Sequence, residues 1–205
     1  MESGYILKGF GVGFSIAAPV GPIGVLCIRR SLADGARVGL ATGLGAATAD
    51  AFYGSVAAFG LTALSGFLVR EQFGLGLIGG LFLLYLGART FFGRPAEGGA
   101  ADGKGGLPGA YASTLLLTLT NPMTVLSFVA IFAGFGLGRA PNYGAALLVV
   151  LGVFSGSACW WLILSQGIGY FRSHLGSGWT RSVNRLSGAI LLAFGVAALA
   201  HSFRR

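Results

Sequence analysis

The chain is poor in charged residues, in cysteine and in histidine. Only 10% of its 205 residues are Asp, Glu, Lys or Arg, whereas charged residues make up about 25% of a typical soluble domain. The two cysteines, Cys27 and Cys159, fit neither a metal-ligand spacing nor a disulfide framework. We therefore expect both to be small buried apolar side chains, and we expect no metal site and no cofactor.

Apolar residues and glycine fill the chain instead. Hydrophobic residues make up 54% of it, glycine contributes 37 residues, and the mean hydropathy is +0.77. This composition predicts a membrane protein in contact with lipid, with glycine used for close helix packing rather than for disorder. The net charge is +8, but the basic residues lie between apolar runs rather than along one stripe. No nucleic-acid partner is therefore expected.

Six apolar runs have the length of about 20 residues that an α-helix needs to cross a bilayer. Because five further runs follow the first, we expect that run to be a retained helix rather than a signal peptide. The predicted fold is an all-α integral membrane protein with six transmembrane helices. The spans are 5–28, 38–64, 73–92, 111–137, 143–171 and 186–203.

Proline interrupts the first and the fourth predicted span near the middle. Pro19, Pro22 and Pro122 have no N–H to donate to the carbonyl four residues earlier, so a helix through these points must open. Opened backbone at membrane depth is tolerated where protein or a water-filled cavity surrounds it. A single proline favours a simple kink, whereas breaks at matching positions of two halves indicate a transporter's binding site.

The two halves of the chain resemble each other, which predicts an inverted repeat. Three spans per half place the second half upside down relative to the first; the alternative is chance similarity between glycine-rich helices. The predicted division of the single domain 1–205 is a first repeat over 1–92, a polar glycine-rich loop over 93–109 and a second repeat over 110–205. The matching positions are Gly21-Pro22 with Asn121-Pro122, Asp50 with Ser157, and Gly80 and Gly87 with Gly188 and Gly195.

The distribution of basic residues between the loops predicts the orientation in the membrane. Nine lie in or beside the first, third and fifth loops, and five lie on the other face. The positive-inside rule then places both termini outside and the glycine-rich loop in the cytoplasm. The nine are Arg29, Arg30, Arg37, Arg89, Arg94, Lys104, Arg172, Arg181 and Arg185, against Lys8, Arg70, Arg139, Arg204 and Arg205.

Asp50 is the one acidic residue inside a predicted span. A carboxylate at that depth costs about 2.5–3.5 kcal/mol on insertion scales, so it is a candidate functional group. Gly39, Gly43, Ala47 and Gly54 share its helix face, and a face of small residues predicts close packing inside the bundle. We expect Asp50 to bind the cationic part of a substrate or to take up a proton. The alternative is a structural acid that forms hydrogen bonds with opened backbone, Ser or Thr.

The opened segments around Gly21 and Asn121 supply the remaining groups of a predicted site for a zwitterion. Free carbonyls ahead of Pro19, Pro22 and Pro122 accept an ammonium group, and the N–H groups that begin each following half-helix favour a carboxylate. The Asn121 side chain adds an acceptor and donors at the second break.

Three aromatic residues are further candidates near the predicted site. Tyr53 lies one turn from Asp50 and is expected to form a hydrogen bond with it. Trp160 and Trp161 lie near the middle of the fifth span, where they either wall a pocket or pack against neighbouring helices.

Four segments taken together resemble the LysE/RhtB family of bacterial amino-acid exporters. The resemblance covers nearly the whole chain and implies a multi-pass inner-membrane protein that exports amino acids or close relatives, driven by the proton gradient. Carried over by position, it implies a site at Pro22, Asp50, Asn121 and Pro122. Ile23 departs from the Gln of members that export basic amino acids, which argues against a lysine-type substrate. The segments are Ala18-Pro19-Val20-Gly21-Pro22 running on to Gly35 and Gly39, Asp50, Leu119-Thr120-Asn121-Pro122, and Asn184-Arg185-Leu186-Ser187-Gly188.

Other functional classes fit the sequence less well. A membrane thiol carrier needs cysteines in matching helices, which Cys27 and Cys159 do not provide. A divalent-cation or heavy-metal exporter needs clustered ligands, and an intramembrane serine protease at Ser15 or Ser157 lacks a histidine within the membrane to act as base. A purely structural membrane protein leaves Asp50 unexplained. The sequence leaves open whether the protein forms a homo-oligomer.

Overall fold

The fold is a bundle of α-helices, as expected, with no strand in the part of the chain that the structure describes. This computed structural model describes residues 3–19, 21–59, 67, 70–92, 106–121, 124–125, 127–128, 142–172 and 179–203. Seven helices lie within these ranges. They are α1 (Ser3–Ala17), α2 (Pro22–Ala33), α3 (Ala36–Ala58), α4 (Gln72–Phe92), α5 (Gly106–Leu119), α6 (Tyr143–Arg172) and α7 (Trp179–Phe203).

Three of these helices are long and apolar enough to cross a membrane alone. They contain Phe73–Phe92, Tyr143–Phe171 and Arg181–Ala200, and the bent pair α1–α2 becomes a fourth if it is one span. α3 has 23 residues, but 13 of them are buried, including Asp50. Because protein rather than lipid surrounds much of α3, this helix can be built from small and polar residues that lower its hydropathy.

The chain leaves helical geometry at both predicted interruptions. α1 ends at Ala17 and α2 begins at Pro22, and the two axes are bent by 79°. Proline suits the first position of a helix because its missing N–H has no helical partner there. In the second half α5 ends at Leu119, and the N–H of Asn121 donates to the carbonyl of Thr118 at 3.2 Å.

The turn between α2 and α3 depends on Gly35. Its φ is +104°, in the region that residues with a Cβ rarely adopt. The N–H groups of Asp34 and Gly35 both donate to the carbonyl of Arg30 and close the end of α2. Only Asp34 and Gly35 separate the two helices, and α3 packs directly against α2.

Glycines bring α1 and α6 into backbone contact. Gly9 and Gly13 of α1 face the α6 backbone at such short range that a Cβ at either position would overlap it. Gly152 and Gly156 of α6 face the α1 backbone in the same way. Each helix thus carries a pair of glycines four residues apart, the spacing that permits close crossings of membrane helices.

α4 and α7 form a second glycine-lined pair. A Cβ at Gly87 would lie 2.8 Å from the backbone nitrogen of Leu192 and 3.1 Å from the carbonyl oxygen of Gly188. A Cβ at Gly80 would lie 3.3 Å from the carbonyl oxygen of Gly195. The four glycines matched between the two halves of the sequence therefore face one another across this helix pair.

The predicted small-residue face of α3 is confirmed. Gly39, Gly43, Ala47, Asp50 and Gly54 are all buried. A Cβ at Gly43 or Gly54 would meet side chains of α6, and a Cβ at Gly39 would overlap Ser31 of α2. α3 packs on α5 and α6, α4 packs on α7, and α2 lies between these groups and contacts α3, α6 and α7. Asp50 consequently faces the interior of the bundle.

Candidate functional site

A cavity of about 520 Å³ opens at the break between α1 and α2. This volume lies within the range of about 300–1,000 Å³ that is usual for small-molecule sites. Asp50 lines it and is only 3% exposed. The other lining residues are Ile16, Ala17, Pro19, Gly21, Pro22, Ile23, Gly24, Ala46, Leu83, Thr118, Asn121, Thr124, Ser127, Trp161, Phe194, Ala197 and Ala198.

A chain of two hydrogen bonds from α6 ends at the Asp50 carboxyl. The Ser157 hydroxyl donates to Asp50 Oδ2 at 2.7 Å, and the Trp161 indole N–H donates to Ser157 Oγ at 3.1 Å. An indole nitrogen can only donate, so Ser157 Oγ accepts from Trp161, and the Ser157 hydroxyl in turn donates its single proton to Asp50 Oδ2. Asp50 Oδ2 is thus the acceptor at the end of this chain of two bonds.

Asp50 has no cationic partner in the part of the chain that the structure describes. No Lys or Arg there lies within ion-pair distance of it; the recorded ion pair joins Arg70 and Glu71 at the surface. A buried carboxyl held by neutral donors at the wall of a cavity can receive a proton or a cationic ligand group from the cavity side.

The structure brings most of the sequence-predicted residues to this cavity. Pro19, Gly21 and Pro22 line it from the α1–α2 break, and Asn121 lines it from the end of α5. Gly21 is the N-cap of α2, and no side chain caps this helix end with a hydrogen bond. The first turn of α2 lines the cavity through Pro22, Ile23 and Gly24. Pro122 lies outside the described residues.

The two remaining candidates occupy other positions. Trp160 packs its edge against Phe14, with 5.4 Å between ring centroids, and the neighbouring Trp161 lines the cavity in its place. The prediction of a hydrogen bond between Tyr53 and Asp50 is wrong. The Tyr53 hydroxyl donates its one proton to the carbonyl of Leu119, because the long side chain reaches past Asp50 to the end of α5.

Four polar residues of the site were not identified from the sequence as site residues. Thr118, Thr124 and Ser127 line the cavity around the second break, and Ser157 holds Asp50. The match between Ser157 and Asp50 in the two halves was the one available signal, since matched residues near a two-fold axis lie close together. The hydroxyl groups around Asn121 carried no distinctive spacing.

No metal centre is formed by the described residues. They contain no group of three or more His, Cys, Asp or Glu side chains that could hold an ion. Cys27 is buried as expected, and its thiol donates to the carbonyl of Gly39 at 3.4 Å. Cys159 is half-buried and free. The two thiols thus act as small side chains within the helices.

Arg30 joins three helices and has no carboxylate partner among the residues that the structure describes. Its Nη1 donates to the Thr42 hydroxyl at 3.0 Å, to the Thr114 hydroxyl at 3.1 Å and to the carbonyl of Ala110 at 3.1 Å. Its Nη2 donates to the Ser113 hydroxyl at 2.9 Å. These bonds tie α2 to α3 and α5 through neutral oxygens.

The preceding arginine connects α2 to the other side of the bundle. Arg29 Nε donates to Asn184 Oδ1 on α7 at 3.2 Å. Asn184 is the first residue of the segment Asn184–Gly188 that carries part of the family resemblance, and it is buried. Adjacent arginines therefore anchor the end of α2 to α5 on one side and to α7 on the other.

A helical bundle with spans of membrane length, a broken helix pair and an internal cavity holding a buried acid has the architecture of a membrane transporter. The chain belongs to the LysE type translocator family, whose model matches residues 14–202. The resemblance identified from the sequence is thereby confirmed, and the protein is a multi-pass membrane protein of a transporter family.

Two bacterial relatives are similar over most of their length. The "Putative amino acid efflux protein YcgF" of Bacillus subtilis is 29% identical over 188 residues, which cover 90% of each chain. The "Uncharacterized membrane protein YahN" of Escherichia coli is 31% identical over 175 residues, covering 82% of this chain and 77% of the relative. No solved structure matches the chain significantly.

Proposed function

We propose that the protein exports amino acids, or closely related small zwitterionic metabolites, across the bacterial inner membrane. The observation that carries the proposal is the position of Asp50, buried at the wall of a cavity that also adjoins the α1–α2 break and Asn121. The name of the Bacillus relative YcgF refers to amino acid efflux, which supports this substrate class.

The site offers a partner to each charge of a zwitterion. The Asp50 carboxylate attracts an ammonium group, and the first turn of α2, whose N-cap Gly21 provides no side-chain bond, favours a carboxylate through its N–H groups and the helix dipole. Asn121 adds an amide beside them. An amino acid spanning the cavity thus has its two charged groups compensated at Asp50 and at the start of α2.

We further propose that six spans form two inverted three-helix repeats that alternate between two openings. Two contacts support this arrangement. The first is the hydrogen bond between Asp50 and Ser157, which occupy matching positions of the two halves. The second is a pair of glycine contacts, Gly80 with Gly195 and Gly87 with Gly188. Because Gly80 matches Gly188 and Gly87 matches Gly195, exchanging the two halves converts one contact into the other. A two-fold axis in the membrane plane produces such pairs, and it relates two states that open to opposite sides.

Coupling to protons follows from the same carboxyl in this proposal. Asp50 binds either a proton or a substrate ammonium group, and the two compete for one acceptor. The proton gradient therefore drives release on the outer side, where protons are more abundant. The basic loops support an orientation with both termini outside and the glycine-rich loop in the cytoplasm.

Efflux from reconstituted vesicles tests the proposal. Vesicles containing the purified protein are loaded with a panel of labelled amino acids, and efflux is measured with and without an imposed pH gradient for wild type, Asp50→Asn and Asn121→Ala. Asp34→Asn is the matched control, because it removes a carboxylate that does not line the cavity.

We expect gradient-stimulated efflux from wild type and from Asp34→Asn. Asp50→Asn should lose at least tenfold in rate and should no longer respond to the gradient, and Asn121→Ala should fall between them. Equal leakage from all four preparations would show that the cavity is not a transport site.

A further inference from the structure

The cavity has one polar and one apolar wall. Asp50 of α3 and Trp161 of α6 line one side, and these helices pack on each other. The second helix pair, α4 with α7, lines the cavity only with apolar side chains within the described residues. These side chains are Leu83, Phe194, Ala197 and Ala198.

The helix contacts assign these two walls to different groups of helices. α3 packs on α5 and α6, α4 packs on α7, and α2 lies between the groups because it contacts both α3 and α7. The break that begins α2 lines the cavity through Gly21 and Pro22. A molecule held at Asp50 and at the start of α2 therefore extends its remaining part towards α4 and α7.

The lining carries a single charged group. Among the described lining residues Asp50 is the one ionisable side chain, and the sequence has no Lys, Arg, His, Asp or Glu between residues 105 and 138, the stretch that contains Asn121. A second charge on the side chain of a substrate would have no partner at the α4–α7 wall, where an unpaired charge is strongly disfavoured.

We infer that the cavity selects amino acids with an uncharged, apolar side chain, and that Leu83 and Phe194 determine this specificity. The inference rests on the proposed function and names the substrate class of that same site. Leu83 is 6% exposed and packs beside Leu26 and Leu86, so its position is fixed. Phe194 lines the same wall from α7 and sets the space available to the substrate side chain.

The size of the expected discrimination between substrates can be estimated from the carbon atoms that the wall loses. In an apolar pocket one methylene group changes discrimination by roughly 10–200-fold. Replacing Leu83 or Phe194 by alanine removes several carbon atoms from the wall, so the preference between small and large apolar substrates should move by at least about tenfold. A lysine or glutamate side chain should be rejected by the wild-type wall because its charge loses water without gaining a partner.

Competition experiments test the inference. Vesicles that export a labelled amino acid are supplied with unlabelled alanine, leucine, phenylalanine, lysine or glutamate, and the inhibition of efflux is compared between variants. Leu83→Ala, Phe194→Ala and the milder Phe194→Leu change the wall. Leu81→Ala and Val196→Ala are matched controls on the same two helices, at positions 53% and 58% exposed that do not line the cavity.

We expect leucine or phenylalanine to compete at least tenfold better than lysine and glutamate in wild type and in both controls. The wall variants should shift the ratio of phenylalanine to alanine competition by at least tenfold, with Phe194→Leu intermediate. Wild-type export with equal competition by lysine or glutamate, or unchanged ratios in folded wall variants, would overturn the inference and leave the proposed function standing. Absence of efflux for every amino acid would instead overturn the proposed function.

Discussion

Ser157 of α6 donates a 2.7 Å hydrogen bond to the carboxyl of Asp50 on α3, and the two residues occupy matching positions in the two halves of the chain. The bond joins two residues that are 107 positions apart in sequence. It fixes the rotamer of a buried acid and places this acid beside the cavity. The proposed transport site and the proposed inverted repeat therefore share this contact.

Removing this donor should impair transport. Ser157→Ala leaves Asp50 Oδ2 and the Trp161 indole N–H without the hydroxyl that connects them. A hydrogen bond to a charged group contributes about 1.5–3 kcal/mol, so we expect efflux to fall roughly 10–100-fold. Ser155→Ala is the control, because this hydroxyl bonds to the carbonyl of Gly152 within its own helix. Equal vesicle efflux from the two variants would contradict the role of Ser157.

Arg30 should be required for stability as a guanidinium and not merely as a positive charge. Lysine cannot serve the four acceptors on α3 and α5 at once, so Arg30→Lys should lose some of these charge-assisted hydrogen bonds. We expect a loss of about 1–3 kcal/mol, measured by thermal unfolding in detergent. Arg37→Lys, at an exposed position of α3, should have little effect. An Arg30→Lys protein as stable as wild type would show that the charge alone suffices.

The contact between α4 and α7 should not tolerate a single added methyl group. Gly87→Ala places a Cβ 2.8 Å from the backbone nitrogen of Leu192, and overpacking of this kind costs about 1–3 kcal/mol. Gly74→Ala on the same helix meets nothing within 4 Å and should stabilise α4 by about 0.5–1 kcal/mol. Unfolding in detergent compares the two variants, and a stabilised Gly87→Ala would contradict the close crossing.

Cysteine labelling should establish the orientation. In a background with Cys27 and Cys159 replaced by alanine, we introduce one cysteine at Ala100 in the glycine-rich loop and another at Phe203, which is exposed at the end of α7. A membrane-impermeant reagent should label the cysteine at 203 in intact cells and the one at 100 only after permeabilisation. The reverse pattern would invert the proposed topology.

The sequence predicted those features that depend on local chemistry. Pro22 has no N–H to donate within a helix, so the break before α2 could be predicted without knowledge of the tertiary structure. Asp50 is too costly to expose to lipid, and the residues sharing its face are small, so its inward direction could also be deduced. The helical class and the three membrane-length helices α4, α6 and α7 followed from apolar runs of membrane length.

Features that depend on how helices rotate against one another could not be deduced. Tyr53 is one turn from Asp50, yet its hydroxyl reaches Leu119 on α5. Trp161 lines the cavity and its neighbour Trp160 packs on Phe14, a difference of about 100° around one helix. Helix ends also differed, since α7 begins at Trp179 rather than at the predicted residue 186, because polar residues can extend a helix beyond the apolar run.

At the glycine-lined crossing of α1 with α6 backbone packs on backbone, whereas leucine side chains such as Leu84 and Leu192 pack on the glycines at the crossing of α4 with α7. Many large apolar residues of the same helices are exposed on the outside of the bundle, among them Leu7, Ile78, Leu151 and Val196. This outer apolar surface faces the lipid in a membrane protein. Surrounding acyl chains complete the packing, so the thickness and fluidity of the host bilayer should influence its stability as directly as core mutations do in a soluble enzyme.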